Sequence, residues 1–178
     1  MAGGERIRLF CALQPPDETV RALAAWQAEH VRAGRLVPAE SLHLTLAFLG
    51  SRPRAEVPEI AHELAEAAAA GQAVRLSVQR YRETGGVGMI VFDDVGGAGS
   101  RLAADLGQRL ERRDFYRRER RPWLPHVTVT RFRQRPRLDP PLPALGTIDV
   151  VRAALYSSSL RPTGARYEVL ESVGLGGR

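Results

Sequence analysis

The sequence predicts an α+β fold with antiparallel sheets, and three observations carry the prediction. Strand and helix patterns alternate along 178 residues without a glycine-rich dinucleotide loop, and several strands follow one another directly. A short motif, His-apolar-Thr-apolar, also occurs twice, 83 residues apart, which implies two lobes of similar size. The helices should cover the outer faces. The length suits a single core, so residues 1–178 are expected to form one two-lobed domain.

Each element has a local reason. Arg6 to Leu13 reads as a strand, and Pro15-Pro16-Asp17 breaks it and starts a helix running to about Val31. That helix should bury Val20, Leu23, Ala24, Ala28 and Val31, with Gly34 stopping it. In LHLTLAFLG, Leu42, Leu44, Leu46 and Phe48 alternate with His43, Thr45 and Ala47, so a strand is expected, ending at Gly50. Pro53 to Ala70 should be a helix with Val57, Ile60, Ala61, Leu64 and Ala68 on one face. Strands follow at Val74–Val78 and Val87–Phe92, separated by the turn-like Thr84-Gly85-Gly86. Glycines 96, 97 and 99 mark a loop, after which Leu102, Leu106 and Leu110 stripe a third helix with Ser100 as N-cap. HVTVTRF gives a strand, Pro136 to Pro143 a loop, and Ile148–Tyr156 and Tyr167–Val173 two closing strands.

Composition removes several classes of function. All 26 basic residues are arginine, and without lysine there is no Walker A loop, Schiff base or covalent lysyl-nucleotide. No apolar run approaches the length of a membrane span, and MAGGERIRLFCAL lacks a secretory signal pattern, so a cytoplasmic chain without membrane association is expected. The single cysteine, Cys11, sits in an apolar strand and reads as a buried structural thiol. Between Arg109 and Arg137, 11 arginines face three acidic residues, with Phe115, Tyr116, Trp123 and Phe132 among them. That interleaving suits RNA, because guanidinium groups meet phosphates while aromatic faces stack on bases; a solvated arginine-rich loop is the alternative.

The chemistry resides in His43-Leu44-Thr45-Leu46 and His126-Val127-Thr128-Val129. Residues two apart on a strand share a face, so each histidine stands beside its threonine while the apolar pair points inward. His30 and His62 lack this setting and are expected on exposed helix surface. Two imidazoles suit transesterification or hydrolysis at phosphorus, one accepting a proton from the attacking oxygen and the other protonating the leaving oxygen. Thr45 and Thr128 could hydrogen-bond the non-bridging phosphate oxygens. With no His-Glu-x-x-His, no histidine pair at i, i+4 and one cysteine, the sequence offers no zinc set, and no metal or other cofactor is expected. A serine triad is equally unsupported, since no Gly-x-Ser-x-Gly elbow is present.

These motifs, an opening RLFCAL, a first HLTLAFLG, a second PHVTVTRF and a closing YEVL, resemble the two-histidine (2H) phosphoesterase superfamily along nearly the whole chain. Within it the sequence resembles the bacterial and archaeal RNA 2′,3′-cyclic phosphodiesterases, historically called 2′-5′ RNA ligases. The resemblance implies a bilobal fold, two antiparallel sheets flanking a V-shaped cleft, and hydrolysis of a terminal cyclic phosphate to a 2′-phosphate. His43, Thr45, His126 and Thr128 match the motif positions; Arg131 and Phe48, each five residues after a histidine, match substrate-contacting places. Strand parity opposes the last two, because five is odd and an unbroken strand sends them to the opposite face unless a bulge intervenes. Motif symmetry leaves base and acid open; the resemblance favours His126 as base for water and His43 as acid for the ribose 3′-oxygen. The expected partner is RNA with a 2′,3′-cyclic phosphate end, bound by a monomer. Two rival functions are ATP-independent ligation of RNA ends and a non-catalytic RNA-binding module.

Overall fold

The computed structural model describes residues 4–176. Along the chain it places β1 (Arg6–Leu13), α1 (Asp17–His30), β2 (Arg35–Leu36), β3 (Leu44–Pro53), α2 (Val57–Ala70), β4 (Val74–Glu83), β5 (Val87–Val95), α3 (Ala98–Arg112), β6 (His126–Arg131), β7 (Thr147–Val150), β8 (Arg152–Arg161) and β9 (Gly164–Gly174). Single 3-10 turns precede β3 and α2. The strands form two antiparallel sheets, one in the order β3-β1-β8-β9 and the other β2-β6-β5-β4-β7. The expected α+β class with two antiparallel sheets is what the chain adopts.

One apolar cluster joins both sheets to the helices. Leu9, Cys11 and Leu13 of β1 meet Leu23 of α1, Leu64 of α2 and Leu106 of α3, together with Ile90 of β5 and Val127 of β6. Every second residue of β1 faces this core, while Phe10 and Ala12 turn the other way onto a small aromatic patch with Tyr156. Burial pushes the Cys11 thiol up to about 12, which keeps it protonated and unreactive.

Several boundaries differ from the sequence expectation for identifiable reasons. Ile148–Tyr156 is two strands: β7 belongs to the five-stranded sheet and β8 to the four-stranded one, and the chain crosses between them at exposed Val151. Alternation continues through the crossing, so periodicity does not reveal a change of sheet. Helix α1 buries Thr19, Leu23, Trp26 and Gln27, and Ala28 is exposed. The stripe turns because the Trp26 indole donates to the Pro141 carbonyl and the Gln27 amide to that of Val37. Ser100 is not the N-cap of α3. Asp94, from the end of β5, accepts from the Ser100 and Gly99 amides and the Ser100 hydroxyl, so the cap arrives from outside the helix. Strand β3 runs past Gly50 to Pro53, β9 begins at Gly164, and the two-residue β2 is too short to show a period.

Candidate active site

The two motifs are built alike. His43 stands immediately before β3 and His126 opens β6, one in each lobe. Each ring is anchored through Nδ1 to a carbonyl two residues back, Ser41 at 2.7 Å and Leu124 at 2.8 Å. A carbonyl only accepts, so Nδ1 carries the proton in both neutral rings, and Nε2 is left as the atom that can take or give one. His43 Nε2 lies 3.1 Å from the Thr45 hydroxyl. Both rings, with Thr45 and Thr128, line one cleft of about 610 Å³ between the sheets. The loop entering β6 also hangs from the other lobe, because the Trp123 indole donates to the Thr45 carbonyl at 2.8 Å.

Phe48 and Arg131 line the same cleft, against strict strand parity. The cause is a β-bulge at the same place in both motifs. Cys11 pairs with Ala47 and Ala12 with Thr45, leaving Leu46 unpaired; Gly88 pairs with Thr130 and Met89 with Thr128, leaving Val129 unpaired. One extra residue reverses the inside-outside sequence beyond it. Ala47 and Leu49 therefore turn into the core while Phe48 is 51% exposed, and Thr130 turns in to donate to the Ala33 and Arg35 carbonyls. Phe48 is thus not the core aromatic that alternation suggests, and the Arg8 guanidinium stands 5.3 Å from its ring centre.

His43 is crowded by aromatic rings, with Phe10 at 4.8 Å, Tyr167 edge-on at 5.3 Å and Tyr156 at 5.9 Å between ring centres. Burial lowers its pKa from 6.5 to about 4 against the Ser41 hydrogen bond, and the charges of His126 and Arg131 push the same way. His43 is consequently neutral at pH 7 in the free protein.

Comparison with known proteins places the chain in a family. The family described as LigT like phosphoesterase matches residues 13–82. The RNA 2′,3′-cyclic phosphodiesterase of Thermus thermophilus is 35% identical, over 96% of this chain and 91% of its own. That of Escherichia coli is 30% identical, over 92% and 94%. The chain belongs to the LigT-like 2H phosphoesterases. A crystal structure of E. coli LigT complexed with 3′-AMP superimposes with a TM-score of 0.81 at 26% identity, covering 96% of this chain and 99% of that one.

Around the paired motifs, this LigT-like chain adds cleft residues that sequence reasoning missed. Arg8 and Phe10 project from β1, Arg35 from β2, Arg161 from the end of β8 and Tyr167 from β9. With Arg131 they give four arginines and no acidic residue among the lining. The alternation in RIRLF was the available signal for Arg8 and Phe10, but nothing in it showed that this face met a second lobe. The arginine-rich stretch is different. Arg109, Arg113, Arg118, Arg121 and Arg135 each pair with a carboxylate, and of the 11 arginines only Arg131 reaches the cleft. Its aromatics are mostly structural: Phe115 is buried and Trp123 is tied to Thr45. His62 is exposed and His30 partly so, both on helices away from the cleft lining. Among the described residues, no three His, Cys, Asp or Glu side chains cluster to hold a metal, and no helix is long and apolar enough to cross a membrane.

Proposed function

We propose that this phosphoesterase hydrolyses RNA 2′,3′-cyclic phosphate ends to 2′-phosphates by metal-independent acid-base catalysis between His43 and His126. The observation that carries the reading is the pair of imidazoles facing one cleft, each held by Nδ1 so that Nε2 is the reactive atom. His126 takes a proton from water as its oxygen bonds to phosphorus. The bond from phosphorus to the ribose 3′-oxygen breaks, and His43 delivers a proton to that oxygen. Thr45 and Thr128 donate to the non-bridging oxygens, and Arg131 balances their charge.

A low pKa makes protonated His43 a strong acid, at the cost of a small protonated fraction. A phosphate anion held by Thr45 favours the imidazolium, so substrate itself raises that fraction. The same low pKa favours a second reading, in which neutral His43 is the base and His126 the acid. A cyclic phosphate with sulfur in place of the 3′-oxygen separates them, because a thiolate leaves without protonation. It should restore turnover only to the variant that lacks the acid.

The first experiment follows an oligoribonucleotide ending in a 2′,3′-cyclic phosphate with excess EDTA present. Wild-type turnover should persist and give the 2′-phosphate, while His43→Ala and His126→Ala should each lose roughly 10²–10⁴-fold with the fold intact. Near wild-type rates in either folded variant, or loss on chelation restored by a divalent ion, would overturn the mechanism.

A further inference from the structure

We propose that a second cavity, separated from the His43/His126 cleft by the Phe48 ring, binds the nucleotide immediately 5′ of the cyclic end, so that the RNA strand leaves the cleft over Phe48. The inference rests on the cyclic-phosphodiesterase reading of the cleft and adds to it a subsite and a direction. This cavity, of about 410 Å³, is bounded by Phe48 and Leu49 of β3, by Arg52, and by Phe115, Tyr116 and Arg117 after α3. Phe48 is common to both cavities, so the half-exposed ring is a shared wall rather than the end of one site.

The opposite flank of the cleft is strapped. In the four-stranded sheet β3 and β9 are the two edges, and Phe48 lies on the first. At the other, the turn between β8 and β9 reaches the second lobe, where Arg35 donates to the Thr163 carbonyl at 2.8 Å. Gly164 has φ +123, and a Cβ there would stand 2.8–3.0 Å from the Arg35 guanidinium, so the strap packs without room for a side chain. On the β3 side the Trp123 indole ties the loop before β6 to Thr45, but three residues further along β3 the half-exposed Phe48 ring borders both cavities, and the strand is drawn out past that ring.

The charges beyond Phe48 suit the phosphodiester that links the last two nucleotides. Arg52 is already engaged by Glu56, the Asp114 carbonyl and the Phe115 ring. Arg117 is exposed and, among the described residues, makes no ion pair, which leaves it as the cation free to meet that phosphate. Asp114 is the one acidic residue in the lining, and Arg52 and Arg117 outnumber it. Phe48 and the partly exposed Tyr116 offer flat faces to a base, as single-stranded RNA sites require.

The test compares kcat/KM on a nucleoside 2′,3′-cyclic phosphate with that on a dinucleotide bearing the same end, for wild type, Arg117→Glu and Arg112→Glu. Arg112 is exposed, lies outside this lining and serves as the charge control. The wild type should prefer the dinucleotide by roughly tenfold, the preference expected of one added charge-assisted contact. Arg117→Glu should abolish that preference and leave the mononucleotide rate within about twofold, while Arg112→Glu keeps it. Equal rates on both substrates in the wild type, or equal behaviour of the two variants, would overturn the subsite while hydrolysis of the mononucleotide upholds the cleft reading. Turnover of neither substrate would overturn the cleft reading and the subsite with it.

Discussion

Replacing His43 by glutamine removes a titrating group that the fold holds neutral, and the consequence for stability can be worked out. The folded pKa is lowered from 6.5 to about 4 by burial among Phe10, Tyr156 and Tyr167. Between those values the unfolded chain binds a proton that the folded chain refuses, so stability falls as pH falls through the window and is level above it. The full difference is about 3 kcal/mol, and the open side of the ring toward the cleft trims it to roughly 2–3 kcal/mol. Glutamine does not titrate. The difference in unfolding free energy between wild type and His43→Gln, measured in urea, should therefore shift by that amount between pH 7.5 and pH 4. An NMR titration of the ring should show a midpoint near 4, and inorganic phosphate should move it upward by placing an anion beside Nε2. A flat difference across the range, or a midpoint at or above the ordinary histidine value, would refute the burial argument.

Thr45→Val and Thr128→Val should each lower kcat/KM by about 1–3 kcal/mol of transition-state binding, less than loss of a histidine; unchanged kinetics would remove the threonines from phosphate binding. The pH profile of kcat/KM should be a bell, because one imidazole must be neutral and the other protonated, and its limbs belong to the pair; a rate climbing steadily to pH 9 would show that no protonated imidazole is needed. Glu83 accepts from the backbone amides of Arg137 and Leu138, the Arg135 guanidinium and the Tyr81 hydroxyl, pinning the proline-rich loop to β4. Glu83→Ala should cost roughly 1–3 kcal/mol, because the part-buried Arg137 and Leu138 amides lose their charged acceptor, and an unchanged unfolding free energy in denaturant would contradict this. Burial alone would raise the Glu83 pKa, but these hydrogen bonds hold it below the ordinary value. That contribution is therefore complete above the unfolded pKa near ~4.3 and is lost as pH falls.

Legibility in the sequence followed the range of the interactions involved. Strand β1, helix α1 and the Leu102–Leu106–Leu110 stripe depend on periodicity within one element, and their expected positions agree with the fold. The doubled motif marked four residues of the cleft because each histidine stands only two residues from its threonine. What was hidden depends on partners distant in sequence: the change of sheet at Val151, the Asp94 cap, the Trp26 and Gln27 anchors, and the meeting of Arg8 from one sheet with Arg35 from the other in one cleft. The arginine-rich stretch misled for a related reason. Its density resembles a binding surface, but Glu63, Glu83 and Glu111, two of them outside the stretch, neutralise much of it.

The paired bulges explain why alternation alone cannot find this cleft. A straight strand beginning at a histidine offers its face to residues at even spacing, which on β6 gives His126, Thr128 and Thr130 and sends Arg131 to the core. With Val129 unpaired, Thr130 becomes the buried anchor and Arg131 joins the cleft, so one strand brings an imidazole, a hydroxyl and a guanidinium to the cleft together. The neighbours must make room for this. Gly34 lies at φ +80, and a Cβ there would stand 2.5 Å from the Arg131 carbonyl, while one on Gly88 would meet the Tyr81 hydroxyl and the Thr130 methyl. Read singly, these glycines look like ordinary turn and strand residues; read against β6, they are the space that the extra residue occupies. The first motif repeats the device at Leu46, and there the redirected side chain is Phe48, which carries stacking rather than charge. The two motifs therefore share a bulge and differ in what it delivers. At the same place in the motif, one wall of the cleft therefore presents a guanidinium and the other an aromatic ring.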